Sequence, residues 1–72
     1  MARFRYCVEN TNENIVVSLE KTRYMMNYRK APSGLLVFHM RGDERAANCH
    51  AEFHDRAWQL ANERARLLGW MD

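Results

Sequence analysis

Hydrophobic and polar residues alternate strictly in residues 3–9 (RFRYCVE), which is the period of a half-buried β-strand with a charged outer face. Residues 15–19 (IVVSL) are short and β-branched, and they predict a second strand after the Asn-rich turn at 10–14. Residues 35–40 (LLVFHM) predict a further strand. Because this last segment is almost continuously apolar, it predicts a central strand that is covered on both faces.

Residues 20–30 allow two interpretations. In an extended conformation, Tyr24, Met26 and Tyr28 alternate with more polar residues, and a turn at 31–34 (APSG) makes a hairpin with the strand that follows. In a helix, the basic pair at residues 29–30 suits the C-terminus. We favour the strand and keep a short helix at about residues 20–30 as the alternative.

The last third of the chain predicts a long helix. Asp43 is a candidate N-cap, and Gly69 follows Leu68 as a stop signal. Apolar residues, including Phe53 and many alanines, occupy about half of the circumference, whereas a surface helix needs an arc of only about 100°. The excess predicts that one part of the arc packs on the sheet and that the edge marked by Trp58 contacts a second copy of the chain or a partner protein.

Arg64 lies near the centre of the apolar arc, so we expect it either to snorkel out of the helix end or to pair with a partner's carboxylate or phosphate. The candidate partner-binding residues are Trp58, Arg64, Ala65, Tyr24 and Tyr28.

These elements predict a single small α+β domain over residues 1–72. We expect a mostly antiparallel sheet of three or four strands packed against one long C-terminal helix. A chain of 72 residues buries only about 60% of its unfolded surface. It is too short for a multidomain enzyme, has no apolar run of 18 residues, and its two cysteines do not make a disulfide scaffold.

The charge is 11 basic residues against 9 acidic ones, and the basic excess lies in the first 30 residues. A sequence pI of about 8.8 falls just below the usual range of nucleic-acid-binding domains. The alternative function is therefore a nucleic-acid-binding regulator. Its candidate residues are Arg3, Arg5, Lys21, Arg23, Arg29 and Lys30.

Few residues in this chain indicate a metal-binding or catalytic site. His50 and His54 have a spacing compatible with two ligands of one metal, but no second close ligand pair accompanies them, so we expect no metal site. Cys7 and Cys49 are expected to be free thiols, most simply as small buried apolar residues. No nucleophile elbow or phosphate-binding loop is present, so we expect no enzyme activity and no cofactor.

The function that we predict is therefore a small, non-catalytic interaction module that binds a protein partner, itself, or both. The N-terminus has no apolar stretch typical of a signal peptide, which favours the cytoplasm. We expect no membrane association and no small-molecule substrate. Small chains of this size are often accessory or inhibitory proteins of bacteria and their phages, and we expect this chain to be one of them.

Overall fold

The computed structural model of the protein describes residues 5–32 and 34–70, with the backbone alone for residues 46–48. Within these residues the fold is α+β, as predicted: an antiparallel sheet packs against a C-terminal helix. The strands follow one another across the sheet in chain order, so the sheet is a meander. The strands are β1 (Tyr6–Asn10), β2 (Asn14–Leu19), β3 (Met25–Ala31) and β4 (Gly34–Arg41).

Burial alternates along β2 and β3, and in β3 it confirms the two-residue period that the sequence predicts for Tyr24, Met26 and Tyr28. Ile15, Val17 and Leu19 of β2 are buried, and the residues between them are half-buried. In β3, Met26 and Tyr28 are buried in the same way. Residues paired across strands share a face, so these side chains form the inner face of the sheet, towards the helix.

Residues 20–30 settle as a turn followed by β3, so the strand interpretation is confirmed and the alternative helix is wrong. Local hydrogen bonds close the turn: the Thr22 hydroxyl donates to the Leu19 carbonyl at 2.8 Å, and the Tyr24 amide donates to the Thr22 hydroxyl oxygen at 3.2 Å. Lys21 takes a left-handed conformation with φ of 68°. Tyr24 is then buried at the start of β3, where it stacks on Phe53 with ring centroids 4.8 Å apart.

The predicted helix begins later than expected. Residues Glu44–Cys49 form a 3₁₀ segment, and the α-helix, α1, spans His50–Leu67. A 3₁₀ segment rises about 2.0 Å per residue against 1.5 Å in an α-helix, so it covers more of the distance from the sheet to the helix layer. Asp43 does start the helical region, because its carboxylate accepts the Arg45 amide at 3.0 Å.

A stripe of one phenylalanine and three alanines makes the contact between α1 and the sheet. Phe53, Ala57, Ala61 and Ala65 recur every four residues and are almost completely buried. Alanine leaves room for the large side chains of the inner sheet face, including Tyr24 and Tyr28. The helix contacts β2 most extensively, and β1 and β3 less.

The helix ends as the sequence predicts. Gly69 has φ of +78°, and its amide donates to the Arg66 carbonyl at 3.1 Å. The Trp70 amide donates to the Ala65 carbonyl at 2.8 Å. This pair of bonds is a Schellman motif, which satisfies carbonyls at the end of the helix and favours glycine at the left-handed position.

Candidate functional site: an open strand edge

The strand predicted to be central lies at the edge of the sheet. β4 pairs with β3 on one side, and among the described residues no strand pairs with its other side. This corrects the prediction of a strand covered on both faces. The signal was present in the sequence: strands joined by successive short turns form a meander, and the last strand of a meander lies at an edge.

Four hydrophobic side chains of β4 reach solvent. Leu36 is 62% exposed, Val37 57% and Phe38 60%, and Met40 is also exposed; Leu35 alone among the strand's large hydrophobics is buried. Proteins usually protect edge strands with charges, proline, short length or a cover. The only charged side chain in this eight-residue strand is that of Arg41, at its end.

A β-bulge determines on which face of the sheet each exposed side chain of β4 lies. Asn27 pairs with His39 and Tyr28 pairs with Val37, so Phe38 is an extra residue in β4. Val37 lies on the inner face with Tyr28, beyond the area that α1 covers. On the outer face, the Arg29 guanidinium lies 5.8 Å from the centre of the Phe38 ring, within the range of a cation–π contact.

Trp58 extends this surface from the helix. Its ring lies 5.6 Å from that of Tyr28, the cross-strand neighbour of Val37, and 46% of the residue is exposed. Trp58 therefore stands beside the uncovered inner face of β4. We call Leu36, Val37, Phe38, Met40 and Trp58 the β4 surface.

Burial corrects three of the predicted partner-binding residues. Tyr24, Tyr28 and Ala65 are inside the core, so they are not available at the surface of this fold. The reason is the direction of α1: the stripe through Ala65 faces the sheet, whereas Leu67, an apolar residue of the same helix, is 83% exposed. Of the predicted helix edge, Trp58 remains exposed.

Arg64 has a partner within the chain. It is half-buried, and its Nη1 donates to the Asn10 side-chain oxygen at 2.8 Å. This bond ties the helix to the end of β1, so Arg64 stabilises the helix–sheet contact in this structure.

The predicted basic surface is divided. Arg5, Lys21 and Arg23 lie around the turn between β2 and β3, whereas Arg29 and Lys30 lie at the far end of β3; Arg3 lies outside the described residues. Lys30 also points to the helix side, with its Nζ 5.4 Å from the centre of the Trp70 ring. Arg29 pairs loosely with Glu13 at 4.0 Å.

A second polar cluster lies where β4 ends. A cleft of about 510 Å³ is lined by Arg23, Arg41, Arg45 and the acidic residues at 43–44. Both oxygens of Asp43 are used locally, since Oδ2 accepts the Arg23 amide at 2.9 Å and Oδ1 accepts the Arg45 amide. The Arg23 bond is the main reason that the pKa of Asp43 is lowered. This cluster holds the helix start against the sheet end.

The remaining titratable groups do not form a site of their own. The rings of His50 and His54 lie 4.4 Å apart, but within the described residues no three His, Cys, Asp or Glu side chains are grouped as metal ligands. Cys7 and Cys49 are not joined in a disulfide; Cys7 is exposed on the outer sheet face, which corrects the expectation of burial, and Cys49 is half-buried. Burial raises the pKa of Tyr28 to about 12.

No helix among the described residues is long and apolar enough to cross a bilayer. Comparison of the chain with models of protein families, with curated protein sequences and with solved structures found no match.

Proposed function

We propose that this protein is a small, non-catalytic binding module that accepts an extended strand of a protein partner along β4. The observation that carries the proposal is the run of three consecutive exposed apolar residues, Leu36–Phe38, on an edge strand. An added strand would pair with the free main-chain groups of β4 and cover these side chains.

The surface beside β4 supports this type of partner. Main-chain pairing provides affinity, and apolar contacts on alternate sides of the strand provide selectivity. Leu36 and Phe38 line the outer side of β4, while Val37 and Trp58 line the helix side. An exposed Trp next to an apolar strand is the type of residue that contributes most to protein interfaces. We therefore propose β4, with Trp58 beside it, as the binding surface in place of the predicted helix edge.

The finer expectations also belong to this proposal. We propose an accessory or inhibitory protein of bacterial or phage origin that acts in the cytoplasm by occluding or bridging its partner.

Selection from a library of displayed random linear peptides tests strand acceptance directly. The chain is immobilised at low density, so that separate copies cannot pair. We expect enriched peptides that are rich in β-branched and aromatic residues. Phe38→Lys and Trp58→Asp should each weaken their binding by about tenfold or more, or ~1.4 kcal/mol.

Leu67→Lys is the matched control, because Leu67 is an exposed apolar residue that lies on the side of α1 opposite the buried Ala65. Its binding should equal that of the wild type. Hydrogen exchange should show slower exchange of the β4 amides when peptide is bound. If no peptide is enriched, or if protection appears elsewhere and the two β4-surface variants bind normally, the proposal is wrong.

One observation favours the second candidate, a nucleic-acid-binding regulator. Phe38 and Arg29 lie together on the open outer face, where an aromatic ring and a cation can serve a single-stranded nucleic acid. The division of the basic residues between two ends of the sheet makes this the weaker proposal.

Titration with fluorescent single-stranded DNA and RNA, and with duplex DNA, distinguishes the two. Phosphate binding must weaken steeply between about 50 and 200 mM salt, and Arg29→Ala must weaken it further. Absence of binding at low salt excludes the nucleic-acid function, whereas strand capture at β4 should change little with salt.

A further inference from the structure

We infer that the strand received by β4 is β4 of a second copy, so that the protein forms a symmetric dimer with a continuous sheet through both copies. This inference rests on the proposed function, because it names the partner of the same edge. It follows from the self-complementarity of β4, the difference between the two sheet edges, and the apolar area that the edge exposes.

β4 is complementary to itself. Antiparallel pairing about Val37 places the segment Leu36–Phe38 against the same segment of the other copy, and pairing about Leu36 places it against residues 34–36. Arg41 lies at one end of β4 and Gly34 at the other, so each Arg41 would lie beyond Gly34 of the second copy. The two guanidinium groups are thus at opposite ends of the pair, and no like charges face each other.

The alternation of inner and outer faces along β4 also limits the register in which two copies of β4 can pair. Residues directly opposite in an antiparallel pair share a face, and in β4 Leu36 lies on the outer face and Val37 on the inner face. A two-fold register that keeps faces together must therefore centre on a residue, which is Leu36 or Val37 for the apolar segment. Both choices place apolar side chains opposite each other on both faces.

The other edge of the sheet is a poorer partner. β1 has five residues, and its outer positions carry the exposed Cys7 and Glu9. Pairing of β4 with β1 of another copy would leave a free edge at each end and generate open filaments. Pairing of β4 with β4 is closed by a two-fold axis and leaves only the short polar β1 strands at the ends.

The helices suit this arrangement. A two-fold axis perpendicular to the sheet places both α1 helices on the same side, with a trough between them over the two β4 strands. Val37 lies on the floor of this trough, and Trp58 of each copy stands at its wall, because Trp58 contacts Tyr28 next to Val37. Trp58 is therefore positioned to cover the inner face of the new strand pair.

The exposed area matches what a specific dimer requires. The five residues of the β4 surface are 39–62% exposed, which for side chains of their size leaves on the order of 500 Å² in each copy, near the upper end for a monomeric protein. Two such surfaces would bury at most on the order of 1,000 Å² between them, which is the lower limit for a specific interface. The main-chain hydrogen bonds of the strand pair add to this contact.

Sedimentation velocity between about 1 and 500 µM is the first measurement. We expect the wild-type chain to become a dimer as concentration rises, and Phe38→Lys and Val37→Lys to remain monomeric with unchanged circular dichroism. The control Leu67→Lys should dimerise like the wild type. A strictly monomeric wild type, or a dimer lost in Leu67→Lys and kept in both β4 variants, would overturn the inference.

A spin-label distance then tests the geometry. Cys7 lies on β1 and is exposed, so it can be labelled in a Cys49→Ser background. Across a continuous eight-stranded sheet the two β1 strands are seven interstrand steps apart, about 34 Å at roughly 4.8 Å per step. Cys7 is level with Met25 and Arg41, three or four residues along the strands from the two-fold axis, so the two copies of Cys7 are also offset along the strands by about 20–27 Å at roughly 3.4 Å per residue. Together the two components give about 40 Å between the labelled positions. A distribution centred near that value supports the β4 pair, and one below about 15 Å shows pairing through β1 and overturns it.

The experiments can disprove the dimer without disproving the proposed binding function. If the chain is monomeric but captures peptides along β4, the partner is another protein, and only the dimer is wrong. If a dimer forms through another surface and peptides are not captured at β4, the proposed function is wrong as well.

Discussion

At the scale of single residues, Asp43 connects the turn before β3 to the start of the helical region. Its carboxylate accepts the amides of Arg23 and Arg45 and is ionised in the folded protein. Because these bonds lower its pKa below the ordinary value of 3.8, the stabilisation is present above that pH and is lost as the pH falls through the folded-state pKa.

We therefore expect Asp43→Asn to weaken the dependence of the unfolding free energy on pH between about 5 and 2.5. The Arg23 and Arg45 amides bind different oxygens of Asp43, and an asparagine has an NH₂ group in place of one of them, so it cannot keep both bonds in this geometry and has no carboxylate to protonate. Urea unfolding across this pH range measures the effect, and Asp55→Asn on the exposed face of α1 is the control. An unchanged slope in Asp43→Asn would contradict the assignment.

Tyr28 is the core residue with an uncompensated polar group. Its hydroxyl is buried, with no hydrogen-bond partner among the described residues. We expect Tyr28→Phe to be at least as stable as the wild type, since the substitution removes an unsatisfied hydroxyl and keeps the ring. Chemical denaturation at neutral pH measures this, and a loss of about 1 kcal/mol or more would show that the hydroxyl has a partner.

The same residue predicts behaviour at alkaline pH. The unfolded chain releases the Tyr28 proton near pH 10, whereas the folded protein holds it to about 12. A pKa raised by folding stabilises the protein below pH 10, and the stabilisation is lost as the pH rises towards 12. The unfolding free energy of Tyr28→Phe should consequently fall less steeply above pH 10 than that of the wild type, with Tyr6→Phe, at a half-buried position, as comparison.

At the scale of elements, the end of α1 depends on the left-handed conformation of Gly69. A β-carbon there would meet no atom within 4 Å, so the cost of a substitution lies in the backbone conformation alone. Gly69→Ala should lower the unfolding free energy by about 1 kcal/mol. Gly42→Ala is the control, because Gly42 is equally open and does not have a positive φ. Equal stabilities for the two variants would exclude the cap as the cause.

The closeness of α1 to the sheet depends on its alanines. Ala61 is fully buried in the middle of the stripe, and a larger side chain there must push the helix away from β2. We expect Ala61→Leu to cost about 1–3 kcal/mol. Ala51→Leu, on the exposed side of the same helix, should change stability by less than about 0.5 kcal/mol. Similar effects from the two substitutions would show that the contact is not tightly packed.

At the scale of the whole molecule, the β4 pair couples stability to concentration. If folding and dimerisation are linked, the melting temperature of the wild type should rise on the order of 5–10 °C over a hundredfold increase in concentration. Calorimetry measures this, and the melting temperature of Phe38→Lys should be independent of concentration. A wild-type melting temperature that does not move would argue against a stable dimer.

Much of the local structure was predictable from the residues. The two-residue alternation of Tyr24, Met26 and Tyr28 favoured a strand, and Gly69 marked the helix end. These signals are local: backbone conformation and the alternation of faces depend on neighbouring residues. The start of α1 was predicted six residues too early, because the 3₁₀ segment is set by the span between sheet and helix layer.

The candidate site was predicted in kind and misplaced in position. The sequence indicated more apolar surface than one small chain needs, but assigned it to the helix. Ala65 on the predicted edge is buried against the sheet, while Phe38 in the predicted central strand is exposed. Periodicity reports which residues share a face of an element, and it does not report what that face packs against.

The sequence by itself determined the fold class, the type of most elements, the alternating faces of the strands and the end of the helix, because these follow from side-chain periodicity and turn chemistry. Only the tertiary structure decided which face of α1 meets the sheet and that β4 lies at its edge beyond the helix. Those choices depend on the width of the sheet relative to one helix and on the fit of alanines over aromatic rings. Each of these outcomes depends on the total energy of many contacts between residues that are far apart in the chain. A local sequence pattern carries no information about those contacts.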